Sequence, residues 1–218
     1  MKRFTRLLQL FCASGLNKEK QRADMTQHFV TAPQPTMKRV ADLDGADFYP
    51  TPPWATHALI ENEKFAGDIW ECACGDGAMS DVLQRTGNQV ISSDLYDRGY
   101  GESGIDFISA SRSVPNIVTN PPFHSAEDFV HSGLRSAGSK FALLLRLAFL
   151  EGGGRQERIF RETPPARLWV FSERITFYPK GAVKKGSGTT AYAWFVWDKD
   201  HLGPTELKWL PVGYKKRF

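Results

Sequence analysis

Short apolar runs alternate with helix-like segments from about residue 47 onward, which is typical of a parallel α/β sheet. A helix is predicted over 52–63, because proline stands in its first turn and apolar residues recur along one side. Two more helices are predicted over 77–85 and 125–135. The predicted strands are 68–72, 89–93, 116–119, 140–145, 167–171 and 191–197. Strand 140–145 is almost wholly apolar, so we expect it to be central and buried on both faces.

The first 40 residues do not show this alternation. They begin with basic residues and a short apolar stretch, as a secretory signal does, but Gln9 interrupts the stretch and a polar segment follows. A segment with two prolines, 32–35, then precedes the patterned sequence. We expect 1–40 to be a mobile basic arm and 41–218 to be one domain, with Met25 or Met37 as alternative starts.

Composition narrows the class of protein. A chain of 218 residues with 24% charged residues fits one globular domain. Three cysteines cannot form a disulfide framework, and the longest apolar run is too short to cross a membrane, so a cytoplasmic protein is expected.

Charge divides the chain into three parts. Residues 1–40 hold 8 basic and 2 acidic residues, 41–150 hold 7 and 15, and 151–218 hold 13 and 7. An acidic part suits a small cationic or hydroxyl-rich ligand, and a basic part suits a polyanion. Alternatively, surface charge simply drifts along the chain.

A glycine-containing turn follows the first predicted strand. It begins at Glu71 and contains Gly75 and Gly77, while Asp94 closes the second strand. Glycines allow a tight turn and close approach of a ligand, and an acid at the end of the next strand is placed to bind a ribose. A dinucleotide is disfavoured, because Ser80 stands where a third glycine belongs. The alternative is a plain turn with a surface aspartate.

The tetrapeptide Asn120-Pro121-Pro122-Phe123 directly follows the predicted strand 116–119. Here the sequence resembles class I S-adenosylmethionine-dependent methyltransferases, in particular the branch that methylates exocyclic amines and includes small phage-type DNA N6-adenine enzymes. An aromatic amine is a poor nucleophile because its lone pair is delocalised, and acceptors for its hydrogens free that lone pair. The resemblance assigns this role to the Asn120 side chain and the Pro121 carbonyl. Pro122 fixes the backbone, and Phe123 stacks on a target base. A rigid turn without chemistry is the alternative.

The resemblance covers about 47–197 and implies a Rossmann-like fold. That fold has a mainly parallel twisted sheet with helices on both faces and an antiparallel late strand. It also implies that S-adenosyl-L-methionine binds at Tyr49 and Thr51 in a leading motif, Glu71, Cys72, Gly75 and Gly77 in the glycine turn, Asp94 at the ribose, and Asp106 and Phe107 at the adenine. Nothing between the tetrapeptide and the last predicted strand is long enough for a separate target-recognition domain, which disfavours restriction-type recognition.

The basic loop between the last two predicted strands carries Lys180, Lys184 and Lys185. Contacts with substrate phosphates are favoured because of its place in the resembled fold, and a solvated hairpin is the alternative. Gly152, Gly153 and Gly154 indicate either a flap over the substrate or a flexible connection. No histidine stands at metal-ligand spacing from an acid, so no metal is expected.

Together these features predict an enzyme that methylates an exocyclic amine, with N6 of adenine in DNA favoured. The alternatives are an RNA base or a protein glutamine as substrate, although a 40-residue arm is short for the extra domain that glutamine enzymes carry. A non-catalytic nucleoside-binding scaffold is the alternative from another class, and the intact tetrapeptide disfavours it. Nucleic acid is the expected partner, without a membrane.

Overall fold

The computed structural model describes residues 48–178 and 188–218. Its strands are β1 (Ile69–Glu71), β2 (Val90–Asp94), β3 (Glu102–Ser103), β4 (Val114–Thr119), β5 (Ala137–Arg146), β6 (Arg167–Phe171), β7 (Tyr192–Asp198) and β8 (Glu206–Leu210). They form one sheet in the order β3-β2-β1-β4-β5-β7-β6-β8.

The pairing of the strands is parallel from β3 to β5 and becomes antiparallel at β7. β7 pairs antiparallel with both β5 and β6, and the edge strand β8 pairs parallel with β6. The prediction of a mainly parallel sheet with an antiparallel late strand is confirmed. Because β1, β2, β4 and β5 run in the same direction, their carboxyl ends meet at one edge of the sheet, where ligands bind in open α/β folds.

Helices cover both faces of the sheet. They are α1 (Pro53–Asn62), α2 (Ser80–Leu83), α3 (Ala126–Ser136), α4 (Gly153–Arg155) and α5 (Tyr214–Arg217), with a π-helical segment, Gln156–Phe160, directly after α4. One core packs α1, α2 and α5 against the sheet, and the other packs α3 and the π-helical segment against its opposite face. β5 and β7 contribute alternate side chains to both cores, as expected for central strands.

A buried network of charged side chains joins the C-terminal end of α1 to the sheet. It lies at the edge opposite the carboxyl ends of β1, β2, β4 and β5. Glu63 accepts hydrogen bonds from Arg167, from the Trp169 indole (2.8 Å) and from Lys140 (3.3 Å), and Arg167 also pairs with Asp198. These partners lie on β5, β6 and β7. The network fixes the axis of α1, so that the residues preceding its N-terminus lie beside the end of β4.

The element boundaries agree with the sequence pattern for the long segments and differ for the short ones. The predicted helix 52–63 is α1, and strand 167–171 is β6. The short strand β3 and the edge strand β8 were not predicted. Of the glycines at 152–154, Gly152 precedes α4 and the other two form its first residues, so this segment leads into a helix; whether it forms a flap over a substrate stays a prediction.

Several predictions concern residues outside the described ranges: the arm 1–40, Asp47 in the leading motif, and the lysines Lys180, Lys184 and Lys185. Within the described ranges no helix is long and apolar enough to cross a membrane.

Candidate functional site

A cavity of about 220 Å³ opens at the carboxyl ends of β1, β2 and β4. It is lined by most of the site residues that the sequence predicts: Tyr49, Thr51, Glu71, Cys72, Gly75, Asp94, Asp106, Phe107, Asn120, Pro121, Pro122 and Phe123. Sequence positions separated by more than 70 residues therefore meet at one place.

The glycine turn and Asp94 are joined directly. The Gly75 N–H donates to Asp94 Oδ2 (2.8 Å), and the Tyr96 N–H donates to Asp94 Oδ1 (2.9 Å). These bonds fix the orientation of a largely buried carboxylate. Since a carboxylate oxygen can accept more than one hydrogen bond, Asp94 can still accept bonds from a ligand.

Aromatic rings lie against both glycines of the turn. Gly75 has φ 57°, and a Cβ there would lie 2.2 Å from the Phe48 ring. Gly77 has φ 87°, and a Cβ there would lie 2.4 Å from the Tyr100 ring. Both positions need glycine for their positive φ and for this close approach. Gly77 does not line the cavity, so its structural role is to make room for Tyr100.

Glu71 is a buried acid at the floor of the cavity, 2% exposed. It accepts a hydrogen bond from the Ser80 hydroxyl, whose oxygen also lies 2.6 Å from the Ser92 hydroxyl. Burial raises the pKa of Glu71 well above its usual range, and the negative charges of Asp94 and Asp76 raise it further. The neutral acid is therefore favoured at this position.

The two cysteines of the turn are buried thiols. Burial raises the pKa of Cys72 well above its usual value and that of Cys74 to about 12. A nucleophilic cysteine needs a lowered pKa, so these side chains act as small apolar lining.

Asp106 and Phe107 do not share one role. The Asp106 carboxylate accepts hydrogen bonds from the Ile108 N–H (3.0 Å) and the Ser109 hydroxyl (2.9 Å), which orient it beside the cavity. Phe107 is 2% exposed and packs edge-on against Trp70 in the core, with ring centroids 5.2 Å apart.

Three exposed side chains with apolar surface also line the cavity: Ile108, Leu95 and Tyr96, which are 37%, 50% and 48% exposed. They present more surface to the cavity than the buried Phe107 does. Leu95 directly follows Asp94, so its place in the chain was the signal that could have identified it.

Asn120 connects the end of β4 to the segment before α1. Its Nδ2 donates to Thr51 Oγ1 (3.0 Å), which fixes the plane of the amide. Its Oδ1 is buried and has no hydrogen-bond partner among the described residues. A buried acceptor without a donor costs free energy, so this oxygen is suited to a donor that a ligand brings.

Phe123 belongs to an aromatic group at the mouth of the cavity. Its ring lies 6.2 Å from Phe177 and 5.8 Å from Tyr192 between centroids, and the Arg146 guanidinium lies 4.5 Å from its centre. Phe177 also lines the cavity. Neither Phe177 nor Arg146 stands in a motif, so the sequence does not mark them as site residues.

Acidic groups dominate the charge of the cavity. Asp76, Asp94 and Asp106 line it, besides the buried acid Glu71. Arg98 is the one arginine among the lining residues that the structure describes, and no lysine is among them; its guanidinium lies 4.3 Å from the centre of the Phe48 ring. The described residues contain no group of three or more histidine, cysteine, aspartate or glutamate side chains that could hold a metal ion.

No protein-family model and no curated protein matches this sequence. Solved structures do share its fold. The modification subunit of a candidate type I restriction enzyme from Vibrio vulnificus matches with a TM-score of 0.54 at 16% identity, over 90% of this chain and 51% of that one. The methyltransferase subunit of a type I restriction-modification system from Streptococcus thermophilus matches with a TM-score of 0.51 at 11% identity, over 70% and 45%. A candidate RNA methyltransferase from Pyrococcus horikoshii matches with a TM-score of 0.52 at 15% identity, over 84% of this chain and 97% of that one.

This chain spans about half the length of the two restriction-modification subunits. At such low identity the likeness concerns the fold, and it confirms the Rossmann-like methyltransferase fold that the sequence predicts.

Proposed function

We propose that this protein transfers a methyl group from S-adenosyl-L-methionine to an exocyclic amine, with N6 of adenine in DNA as the favoured target. The observation that carries the proposal is the amide of Asn120. Its Nδ2 is held by Thr51, while its Oδ1 is buried at the cavity and has no donor among the described residues. A hydrogen of a substrate amine would supply the donor that this oxygen lacks.

The residues of the cavity fit the proposed methyl donor. Asp94 is held by two backbone N–H groups and offers acceptors for ribose hydroxyls, and the apolar side chains of Leu95 and Ile108 offer surfaces for adenine. The acidic lining suits a ligand that carries a sulfonium and an ammonium group. When bound, S-adenosyl-L-methionine supplies a methyl group attached to an electron-poor sulfur.

The chain itself prepares the amine for attack. Asn120 Oδ1 accepts one amine hydrogen, and the resemblance gives the Pro121 carbonyl as acceptor for the other. With both hydrogens held, the nitrogen lone pair leaves conjugation with the ring and points toward the methyl group. As the bond from nitrogen to the methyl carbon forms, the carbon–sulfur bond would break with its electron pair staying on sulfur, and the methylated nitrogen would then release one proton to solvent water. Phe123 and Phe177 line the cavity mouth, where a base turned out of its stack would lie against aromatic rings.

An amine of an RNA base is the second candidate. The Pyrococcus horikoshii protein, described as a candidate RNA methyltransferase, is covered over 97% of its length, whereas the two restriction-modification subunits are each about twice as long as the matched region. The cavity chemistry is the same for both nucleic acids. The amide nitrogen of a protein glutamine is the third substrate, and the experiment below includes it.

Methyl-labelled S-adenosyl-L-methionine should be incubated with the purified protein and with separate pools of DNA, RNA and protein, followed by digestion to monomers. We expect label in N6-methyladenine from DNA. Label in an RNA base or in glutamine would show that the substrate is RNA or protein and not DNA. Binding of the cofactor without transfer to any pool would favour the non-catalytic scaffold.

A further inference from the structure

Arg146 lies at the mouth of the cavity on the side away from the acidic lining. It is the last residue of β5, which pairs in parallel with β4, so Arg146 is at the same sheet edge as Asn120. Its backbone pairs with that of Tyr192 on β7. The acidic side chains follow β1 and β2 on the other side of β4. Arg146 does not line the cavity itself but lies over Phe123, which does, so its guanidinium is next to the proposed site of the target base.

The guanidinium of Arg146 lies over an aromatic ring. Its central carbon is 4.5 Å from the centre of the Phe123 ring, and its positive charge acts on the nearby Tyr192 hydroxyl. A cation–π contact of this kind restrains the guanidinium without using its N–H donors. The Arg146 Nε is buried and has no partner among the described residues.

Four other arginines in the described ranges, Arg85, Arg98, Arg135 and Arg174, also have no carboxylate within 4 Å there, but of these five Arg146 is the one that lies over the Phe123 ring. The remaining six are paired with carboxylates. The pairs are Arg112 with Glu102, Arg155 and Arg158 with Glu127, Arg161 with Glu162, Arg167 with Glu63 and Asp198, and Arg217 with Glu61. No carboxylate lies within 4 Å of the Arg146 guanidinium in the part of the chain that the structure describes. A half-buried cation of this kind is stabilised by an anion from outside the chain.

We propose that Arg146 binds a backbone phosphate of the substrate next to the target base, while Phe123 positions that base beside Asn120. This inference rests on the proposed function and narrows it, because it requires a substrate with a phosphodiester, namely a nucleic acid. Arginine suits this role, since its planar fork of donors matches two oxygens of a phosphate. The carboxylates on the other side of β4 repel the same phosphate, which favours a substrate backbone on the Arg146 side of the cavity.

The test compares the Arg146→Gln variant with the parent protein and with two controls. Lys208→Gln removes another positive charge that faces an aromatic ring, Trp169 (5.1 Å), but Lys208 lies on the edge strand β8 and pairs with Glu206. Arg146→Lys keeps the charge and loses the planar fork. Binding of fluorescein-labelled DNA and of RNA of the same sequence is measured by anisotropy across a salt series.

For a single phosphate contact, we expect the slope of log affinity against log salt in Arg146→Gln to become shallower by about 0.7 to 0.9. We expect Arg146→Lys to keep most of the slope and Lys208→Gln to match the parent. In transfer assays, the KM for DNA should rise in Arg146→Gln while the KM for the cofactor stays the same. An unchanged slope and an unchanged KM for DNA in a folded Arg146→Gln protein would overturn the proposal.

Failure of the two proposals can be told apart. If the parent methylates DNA but the slope does not depend on Arg146, only the phosphate contact is wrong. If the slope depends on Arg146 but the parent transfers no methyl group to DNA or RNA, the phosphate contact stands and the proposed function is wrong. If Arg146→Gln does not fold, the comparison of Arg146→Lys with the parent decides, because a lost fork should raise the KM for DNA.

Discussion

Replacing Asn120 with alanine separates chemistry from binding. The variant removes Oδ1, the proposed acceptor of an amine hydrogen, together with the Nδ2 bond to Thr51. Losing the latter bond should cost about 0.5 to 1.5 kcal/mol of folding stability. Loss of one oriented group that stabilises a transition state costs about 2.7 to 4 kcal/mol, so the rate of transfer should fall by roughly 10² to 10³. Affinity for the cofactor should change by no more than a fewfold.

Two matched variants isolate the acceptor. Asn120→Asp keeps an oxygen at Oδ1 and can accept the Thr51 hydroxyl proton in place of the lost N–H donation, so it should retain far more activity than the alanine variant. Thr51→Val leaves Asn120 intact but removes the oxygen that holds Nδ2. We expect it to lower the rate about tenfold, because the amide plane is then free to turn.

The assay is transfer of labelled methyl to DNA under single-turnover conditions, with cofactor affinity measured by calorimetry on the same preparations. Thermal unfolding confirms that each variant is folded. Near-parental transfer by Asn120→Ala would refute activation of the amine by this amide. Equal losses in the alanine and aspartate variants would show that the side chain acts through packing and not as an acceptor.

Three further predictions follow from the cofactor side of the cavity. Asp94→Asn should weaken S-adenosyl-L-methionine binding by about 1 to 3 kcal/mol in calorimetry, and unchanged affinity would move the ribose contact elsewhere. Because burial raises the pKa of Glu71, ionisation of this carboxyl lowers the free energy of unfolding once pH exceeds the ordinary carboxyl range. The melting temperature of Glu71→Gln should therefore match that of the parent in acid and exceed it increasingly as pH rises. Parallel pH profiles of the two melting temperatures would show that Glu71 is not buried as an acid. Gly77→Ala should destabilise the fold by about 1 to 3 kcal/mol in denaturant unfolding, and Gly77→Ala with Tyr100→Ala should recover only the part caused by the ring contact, since the positive φ persists.

The long elements and the cavity lining were predictable because their signals are local. Apolar runs such as 140–145 mark a strand wherever the chain places it, and parallel strands bring the residues that follow them to one edge. Glu71, Asp94 and Asn120 each stand at a strand end, so their meeting follows from the strand pattern. A two-residue strand such as β3 has no pattern to detect, and β8 depends on the neighbouring β6 for its existence.

Ring orientation could not be predicted, because it depends on contacts between distant segments. Phe107 stands beside Asp106 as expected, yet its ring enters the core because Trp70 and Phe129 leave room for it there. Arg146 ends a strand that is otherwise largely apolar, so in the sequence it only interrupts the apolar pattern. Only the pairing of β5 with β7 and the turn after β4 bring its guanidinium onto Phe123.

The segment before α1 links the two halves of the site. Phe48 lies against Gly75 of the glycine turn, and three residues later Thr51 holds the amide of Asn120. Because four consecutive residues offer little slack, the Phe48 contact and the Thr51 bond restrain the same short piece of backbone. The Glu63 network fixes the far end of α1, the helix that follows this segment. The position of the Asn120 amide is therefore set by contacts that reach from the glycine turn through residues 48–51.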